Sequence, residues 1–228
     1  MSKQAVETSA KDERLFLFAL LALAGILMGG VLLVMVELNK PSPYAGSGPE
    51  ELSSMPIPPD RPRRLADFSL TNWTGSCVTR ADLKGKFLVV DFLFTGCSVT
   101  CPVINNYMAQ IQQLTAHQND VRLLSLTVDP RDDTVPFLAD YAKRFGADAS
   151  RWLLLTGDKD GLYNLIKTSF LNQDLDPAYG YMPGNFSHTD RIAIVDANGT
   201  LRAFFDGLNQ NTPTAVVNEI AALRKESL

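Results

Sequence analysis

A near-continuous apolar run, Phe87 to Phe94, leads through Thr95-Gly96 into Cys97-Ser98-Val99-Thr100-Cys101-Pro102. Its length and apolar character predict a strand buried on both faces, which requires a sheet covered on both sides. The pattern after Pro102 is helix-compatible. Proline suits the first helical position, where its set φ and missing N–H do no harm. A strand therefore delivers two thiols to the start of a helix. The unpaired N–H groups and dipole of a helix N-terminus favour thiolate, the form that binds soft metals and attacks disulfides. This feature narrows the chemistry to thiol redox work or the handling of copper or zinc.

The 228 residues carry 3 cysteines, 2 histidines and a formal net charge of −4. So mild an acidity argues against a nucleic-acid partner. Three cysteines are too few for a disulfide scaffold, so a pair among them is expected to be functional.

No charged residue interrupts Leu15 to Val36, 22 positions bounded by Arg14 and Glu37. About 20 apolar residues span a bilayer core as a helix, whereas the apolar region of a cleaved signal peptide is only about 7–15 residues long. The reading is a retained anchor over residues 15–38. Lys3, Lys11 and Arg14 precede it and only Lys40 closely follows, which places residues 1–14 in the cytoplasm and the rest beyond the membrane. A bacterial inner membrane with the domain in the periplasm is preferred, because no acid-poor organellar leader is present. Gly25 and Gly29 form a GxxxG within the span, a pattern more often ordinary helix composition than a dimer face. Residues 39–64 hold Pro41, Pro43, Pro49, Pro56, Pro58, Pro59 and Pro62 and read as an extended tether to a domain over residues 65–228.

Within that domain, a hairpin is predicted around Asn72 to Gly75, followed by the strand Phe87–Phe94. A helix is predicted from Pro102 to about His117, with Val103, Tyr107, Ile111 and Leu114 on one side. Further strands are predicted at 121–128 and 152–156. Asp133 or Thr134 caps a helix that Gly146 ends, and Asp158 caps another to about Phe170. Residues 171–186 read as a long loop, Arg191–Asp196 and Leu201–Asp206 as a hairpin, and Thr212 to Lys225 as a final helix. The order predicts an α/β fold: a thioredoxin-like three-layer sandwich with a central mixed sheet, preceded by one transmembrane helix.

The spacing of the pair is C-x-x-x-C, which leaves the loop free to close a disulfide or to aim both sulfurs at one ion. Cu(I) favours thiolate sulfur and accepts imidazole as a third ligand. His117, at the end of a predicted helix, reads as structural. His188 ends the long loop and opens the strand beside the cysteine-bearing one. Position alone divides it evenly between a ligand and a loop histidine bonded to backbone. Asp133, an acid before a predicted helix, reads as a cap. Met108 reads as core and Met182 as a remote candidate for an extra ligand. Cys77 reads as a small buried hydrophobe.

Four segments together resemble the SCO/SenC family of membrane-tethered thioredoxin-like copper proteins. They are Asp82-Leu83-Lys84-Gly85-Lys86; Thr95-Gly96-Cys97 through Cys101-Pro102; Thr127-Val128-Asp129-Pro130-Arg131-Asp132-Asp133-Thr134 with Tyr141 to Gly146; and Ser187-His188-Thr189 through Ile194-Val195-Asp196 with Asn198-Gly199. The resemblance covers roughly residues 65–225. It implies that Cys97, Cys101 and His188 bind one copper ion per domain, and it suggests an acidic feature near that ion, for which Asp129 and Asp133 are the two candidates and Asp129 is preferred, Asp133 being read as a cap. The chain departs from the common family pattern at Gly96 and Ser98, neither of which is a family ligand.

Two functions follow from the resemblance and the residues. One is a copper metallochaperone that passes its ion to the dinuclear copper centre of cytochrome c oxidase, served by a copper donor and a thiol reductant. The other is a thiol–disulfide oxidoreductase that uses Cys97 and Cys101 as a redox pair on the acceptor's cysteines. A peroxidase of similar fold leaves His188 unexplained.

Overall fold

The computed structural model describes residues 54–57, 62–170 and 190–226. The anchor at 15–38, Gly25 and Gly29 within it, and the loop bearing Met182 and His188 lie outside the described residues. No helix among the described residues is long and apolar enough to cross a membrane.

Among the described residues, nine strands form one sheet: β1 (Ser54–Pro56), β2 (Arg63–Arg64), β3 (Ser69–Asn72), β4 (Cys77–Thr79), β5 (Phe87–Leu93), β6 (Val121–Thr127), β7 (Trp152–Thr156), β8 (Arg191–Val195) and β9 (Thr200–Asp206). Their order is β1-β9-β8-β5-β6-β7-β3-β4, with β2 also on β9. The centre, β5-β6-β7, is parallel, and β3, β8 and β9 run antiparallel to their neighbours. Among the described residues, four α-helices flank the sheet: α1 (Thr100–Leu114), α2 (Val135–Arg144), α3 (Lys159–Ser169) and α4 (Thr212–Glu226). The mixed sheet and the order of elements are those expected from the sequence.

All seven residues of β5 are buried, as a central strand between two helical layers must be. Val89 and Leu93 face the layer of α1, α2 and α4, packing with Ile104, Met108, Leu138, Val216 and Ile220. Leu88, Val90 and Phe92 face the other side, against Leu162, Leu165 and Ile166 of α3. Each such side chain is worth about 1.5–3 kcal/mol when fully buried.

Three local expectations are corrected. First, α1 begins at Thr100, so Pro102 is its third residue; its missing N–H is still among the first four, which have no intrahelical partner. Second, the buried face of α1 is Cys101, Ile104, Asn105, Met108 and Ile111, while Val103 and Leu114 are exposed. Both stripes share Ile111 and both have helical spacing, and the one that continues Cys101 faces the sheet. Third, Cys77 is exposed at the start of β4, a sheet edge, with its sulfur 3.3 Å from the Ser69 hydroxyl.

The sheet also begins before residue 65, since β1 and β2 pair with β9. Pro56 is tolerated there because β1 is an edge strand, where a missing donor breaks no ladder.

Candidate metal centre

The site lies at the C-terminal ends of the parallel strands, where β5 hands the chain to α1. After Leu93, the Cys97 N–H donates to the Phe94 carbonyl (3.1 Å) and closes a turn. The N-cap of α1 is Val99, which offers no side-chain acceptor. Cys97 takes that role: its Sγ accepts the Cys101 backbone N–H at 3.3 Å and lies 3.6 Å from the Thr100 hydroxyl. The first turn of the helix is thus completed by a sulfur.

The two thiols differ in character. Partial burial opposes ionisation of Cys97. The Cys101 N–H, the Cys101 thiol, the Val99 N–H and the Thr100 hydroxyl outweigh it and bring the Cys97 pKa down to about 7. Burial drives Cys101, 5% exposed, the other way to about 12; the Phe94 backbone offsets part of this, while the Cys97 side chain and the charges on Cys97 and Asp91 add to it. At neutral pH the pair is one half-buried thiol that is about half ionised beside one protonated, buried thiol. A soft cation would displace the second proton on binding.

Asp91, which the sequence reading passed over, lies fully buried on the α1 side of β5. Ser125 donates to its Oδ1, and Ser125 in turn accepts the Trp152 indole N–H at 2.8 Å. Its Oδ2 has no hydrogen-bond partner among the described residues, nor have Asn105 Oδ1 and the Tyr141 hydroxyl. Burial raises the Asp91 pKa to about 7, against the opposing Ser125 hydrogen bond. Asn105, one turn beyond Cys101, donates Nδ2 to the Cys101 carbonyl at 2.8 Å. The visible signal for Asp91 was a lone carboxylate inside a strand that must be buried on both faces.

Asp133 is not the cap it was expected to be. The N-cap of α2 is Thr134, and the Asp133 carboxylate points elsewhere, to Thr95 and Thr127. Asp129 is half-buried, its N–H donating to the Thr127 hydroxyl at 2.9 Å. Because β5 and β6 are parallel, Asp129 leaves the sheet at the same end as Cys97.

Among the described residues, no third His, Cys, Asp or Glu completes a metal-holding cluster. His117 is exposed beyond the C-terminus of the 15-residue α1, roughly 20 Å from the cysteines. Met108 is core, as expected. His188 lies outside the described residues. Asp190, two residues later, accepts the Gly207 N–H at 2.6 Å, and Gly207 packs on Ile104 in the first turns of α1. The chain thus enters β8 next to the cysteine helix.

Fold and site together define a thioredoxin-like protein that presents a polarised dithiol at a helix N-terminus. Residues 58–225 match the SCO1/SenC family, and the chain belongs to it. It is similar to the SCO1 protein homolog of Bacillus subtilis, 35% identical over 91 residues, a match spanning 40% of this chain and 47% of that protein. A solved SCO1/SenC family lipoprotein from Bacillus anthracis is 27% identical, with TM-score 0.61 over 72% of this chain and 98% of that one. Copper-bound ScoI of Bradyrhizobium japonicum shares the fold at 24% identity, with TM-score 0.54 over 70% of this chain and 97% of that one.

Proposed function

We propose that this chain is a membrane-tethered copper metallochaperone. Residues 1–14 face the cytoplasm, 15–38 anchor the chain, the proline-rich stretch from residue 39 up to β1 tethers it, and the domain, whose sheet takes in β1 and β2, works outside the cytoplasm. One copper ion is cargo, held by Cys97, Cys101 and His188 with Asp129 beside them, and the acceptor is the dinuclear copper centre of cytochrome c oxidase.

The observation that carries this reading is the polarised sulfur pair beside the fixed start of β8. Cys97 supplies a thiolate near neutral pH, and Cys101 supplies a second sulfur on release of its proton. Asp190, two positions after His188 in the sequence, has its carbonyl bonded to the Gly207 N–H, and Gly207 lies against Ile104 of the cysteine helix. Three ligands leave room for an incoming cysteine, so the ion can leave by ligand exchange. The Sco family membership of the chain supports the same reading, since family members are described as cytochrome c oxidase assembly proteins and relatives hold copper.

Titration of the reduced full chain in detergent with Cu(I), in competition with bicinchoninate, tests the proposal. One tightly held ion per chain, lost on oxidation of the pair, is the expected outcome; no binding above that of a Cys97→Ser/Cys101→Ser chain would refute it.

The asymmetry of the thiols favours a second activity on the same site. The Cys97 thiolate attacks an acceptor disulfide and expels one acceptor thiolate. Cys101, losing its proton, then attacks the Cys97 sulfur and expels the second. The acceptor gains two electrons and the pair becomes a disulfide. Relatives support this too, since a disulfide switch has been identified in BsSco.

A further inference from the structure

We propose that Asp133 is a positioning residue that sets the geometry of Cys97 by latching the cysteine loop to the loop after β6. The proposal rests on the dithiol site described above. Asp133 is 1% exposed, and both of its carboxylate oxygens are used. Oδ1 accepts the Thr95 backbone N–H at 3.0 Å and the Thr95 hydroxyl at 2.6 Å. Oδ2 accepts the hydroxyl of Thr127, the last residue of β6, which in turn accepts the Asp129 N–H at 2.9 Å. One carboxylate therefore gathers Thr95, two residues before Cys97, and Thr127, two residues before Asp129.

The cysteine loop needs an outside anchor. Gly96, Ser98 and Val99 are exposed, Val99 to 73%, so they add little packing to hold the chain. The bond Cys97 N to Phe94 O closes a turn within the loop, and Cys101 N to Cys97 Sγ ties it only to the first turn of α1. Among the described residues, the two bonds from Thr95 are the only side-chain hydrogen bonds joining residues 94–99 to a residue beyond α1. A helix cap would explain none of this, because the N-cap of α2 is Thr134 and the Asp133 oxygens accept from Thr95 and Thr127 instead. A carboxylate suits the position because it accepts from three donors at once, and charged acceptors make stronger bonds than neutral ones.

The latch holds Cys97 where the Cys101 N–H reaches its sulfur, the arrangement of the reduced pair. Loosening it removes support from the dithiol and lets the loop adopt the closer approach that a disulfide needs. Asp133→Asn and Thr95→Val should therefore shift the pair toward disulfide and weaken its hold on a metal, while Thr95→Ser, which keeps the hydroxyl, should behave as the parent.

The test uses the full chain in detergent. The Cys97–Cys101 equilibrium is measured against dithiothreitol of known redox ratio, Cu(I) affinity against bicinchoninate, and thermal unfolding in parallel. Asp133→Asn is expected to move the equilibrium toward disulfide by about tenfold, the effect of one ordinary hydrogen bond, and to weaken Cu(I) binding by about as much. Should Asp133→Asn fail to fold, Thr95→Val, which removes a single half-buried hydroxyl, carries the measurement, with Thr95→Ser as rescue. A lowered unfolding temperature with the dithiothreitol equilibrium unmoved would reduce Asp133 to an ordinary structural residue and overturn the proposal. Absence of Cu(I) binding by the parent chain would instead defeat the copper reading, and the dithiothreitol equilibrium alone would then decide the role of Asp133.

Discussion

The backbone N–H of Cys101 points at the sulfur of Cys97 from 3.3 Å, so one member of the pair helps to ionise the other. Cys97, with its pKa near 7, should be alkylated by iodoacetamide at a rate that rises through pH 7 and then levels. Cys101, near 12, should stay almost unreactive at pH 8 in the folded chain. Cys77 is the internal control, being more exposed than Cys97 yet outside the helix terminus. Peptide mapping of the reduced, metal-free chain at pH 7 should find Cys97 labelled fastest. Labelling in order of exposure, Cys77 first, would contradict the helix-terminus account.

Asp91 should leave a signature in stability rather than in reactivity. Burial raises its folded pKa from 3.8 to about 7, so the folded state holds a proton that the unfolded state has released over that interval. Its stabilising contribution is complete below about pH 4 and is lost as pH rises to 7. Asp91→Asn keeps the shape and an acceptor for Ser125 but cannot ionise. In urea unfolding, the difference between variant and parent should grow in favour of the variant from pH 4 to 7 and then flatten. Its upper bound is roughly 4 kcal/mol. A parent that gains stability relative to Asp91→Asn as pH rises would mean that the carboxylate is well solvated or paired with a cation.

These two carboxylates mark where sequence reasoning ended. The strand Phe87–Leu93, the turn into α1 and the Asp158 cap on Gly161 N–H were legible because each follows from a local pattern of burial, φ preference or donor geometry. Asp133 also has a local signature, an acid before a helix, and that signature points to a cap. Its partners Thr95 and Thr127 are brought to it only when β5 and β6 pair in register, with Leu93 opposite Thr127. The buried stripe of α1 differs from the one expected for a related reason. Val103-Tyr107 and Ile104-Met108 have the same spacing, and only the docking of Cys101 toward the sheet decides between them.

Gly207 is expected to be intolerant of any side chain. A Cβ there would lie 2.7 Å from the Asp190 carbonyl oxygen and 3.1 Å from Ile104 Cγ1, and the first contact is with backbone. Gly207→Ala should cost about 1–3 kcal/mol in denaturant unfolding. It should also weaken Cu(I) binding, because the displaced Asp190 anchors the entry to β8. Gly161→Ala is the contrast: it lies in α3 with only the Asp158 carboxylate nearby at 3.5 Å, and should be neutral or stabilising by up to about 1 kcal/mol. Equal costs at the two sites would argue against close packing at 207.

The two proposed activities would share sulfurs but not the histidine, and that difference separates them. His188→Ala removes the third copper ligand of the proposal and touches neither thiol. Stoichiometric Cu(I) binding should be lost or weakened at least about tenfold, roughly the contribution of one polar contact to a charged centre. Reduction of a small disulfide substrate should stay within about twofold of the parent, because attack depends on the Cys97 thiolate and resolution on Cys101. Cys97→Ser and Cys101→Ser should each abolish both activities, the first by removing the attacking sulfur and the second by stranding the mixed disulfide. Unchanged copper affinity in His188→Ala would mean that the pair binds metal without an imidazole. Equal loss of both activities would mean that His188 acts on the thiols themselves, so that copper binding and disulfide exchange could not be told apart by ligand set.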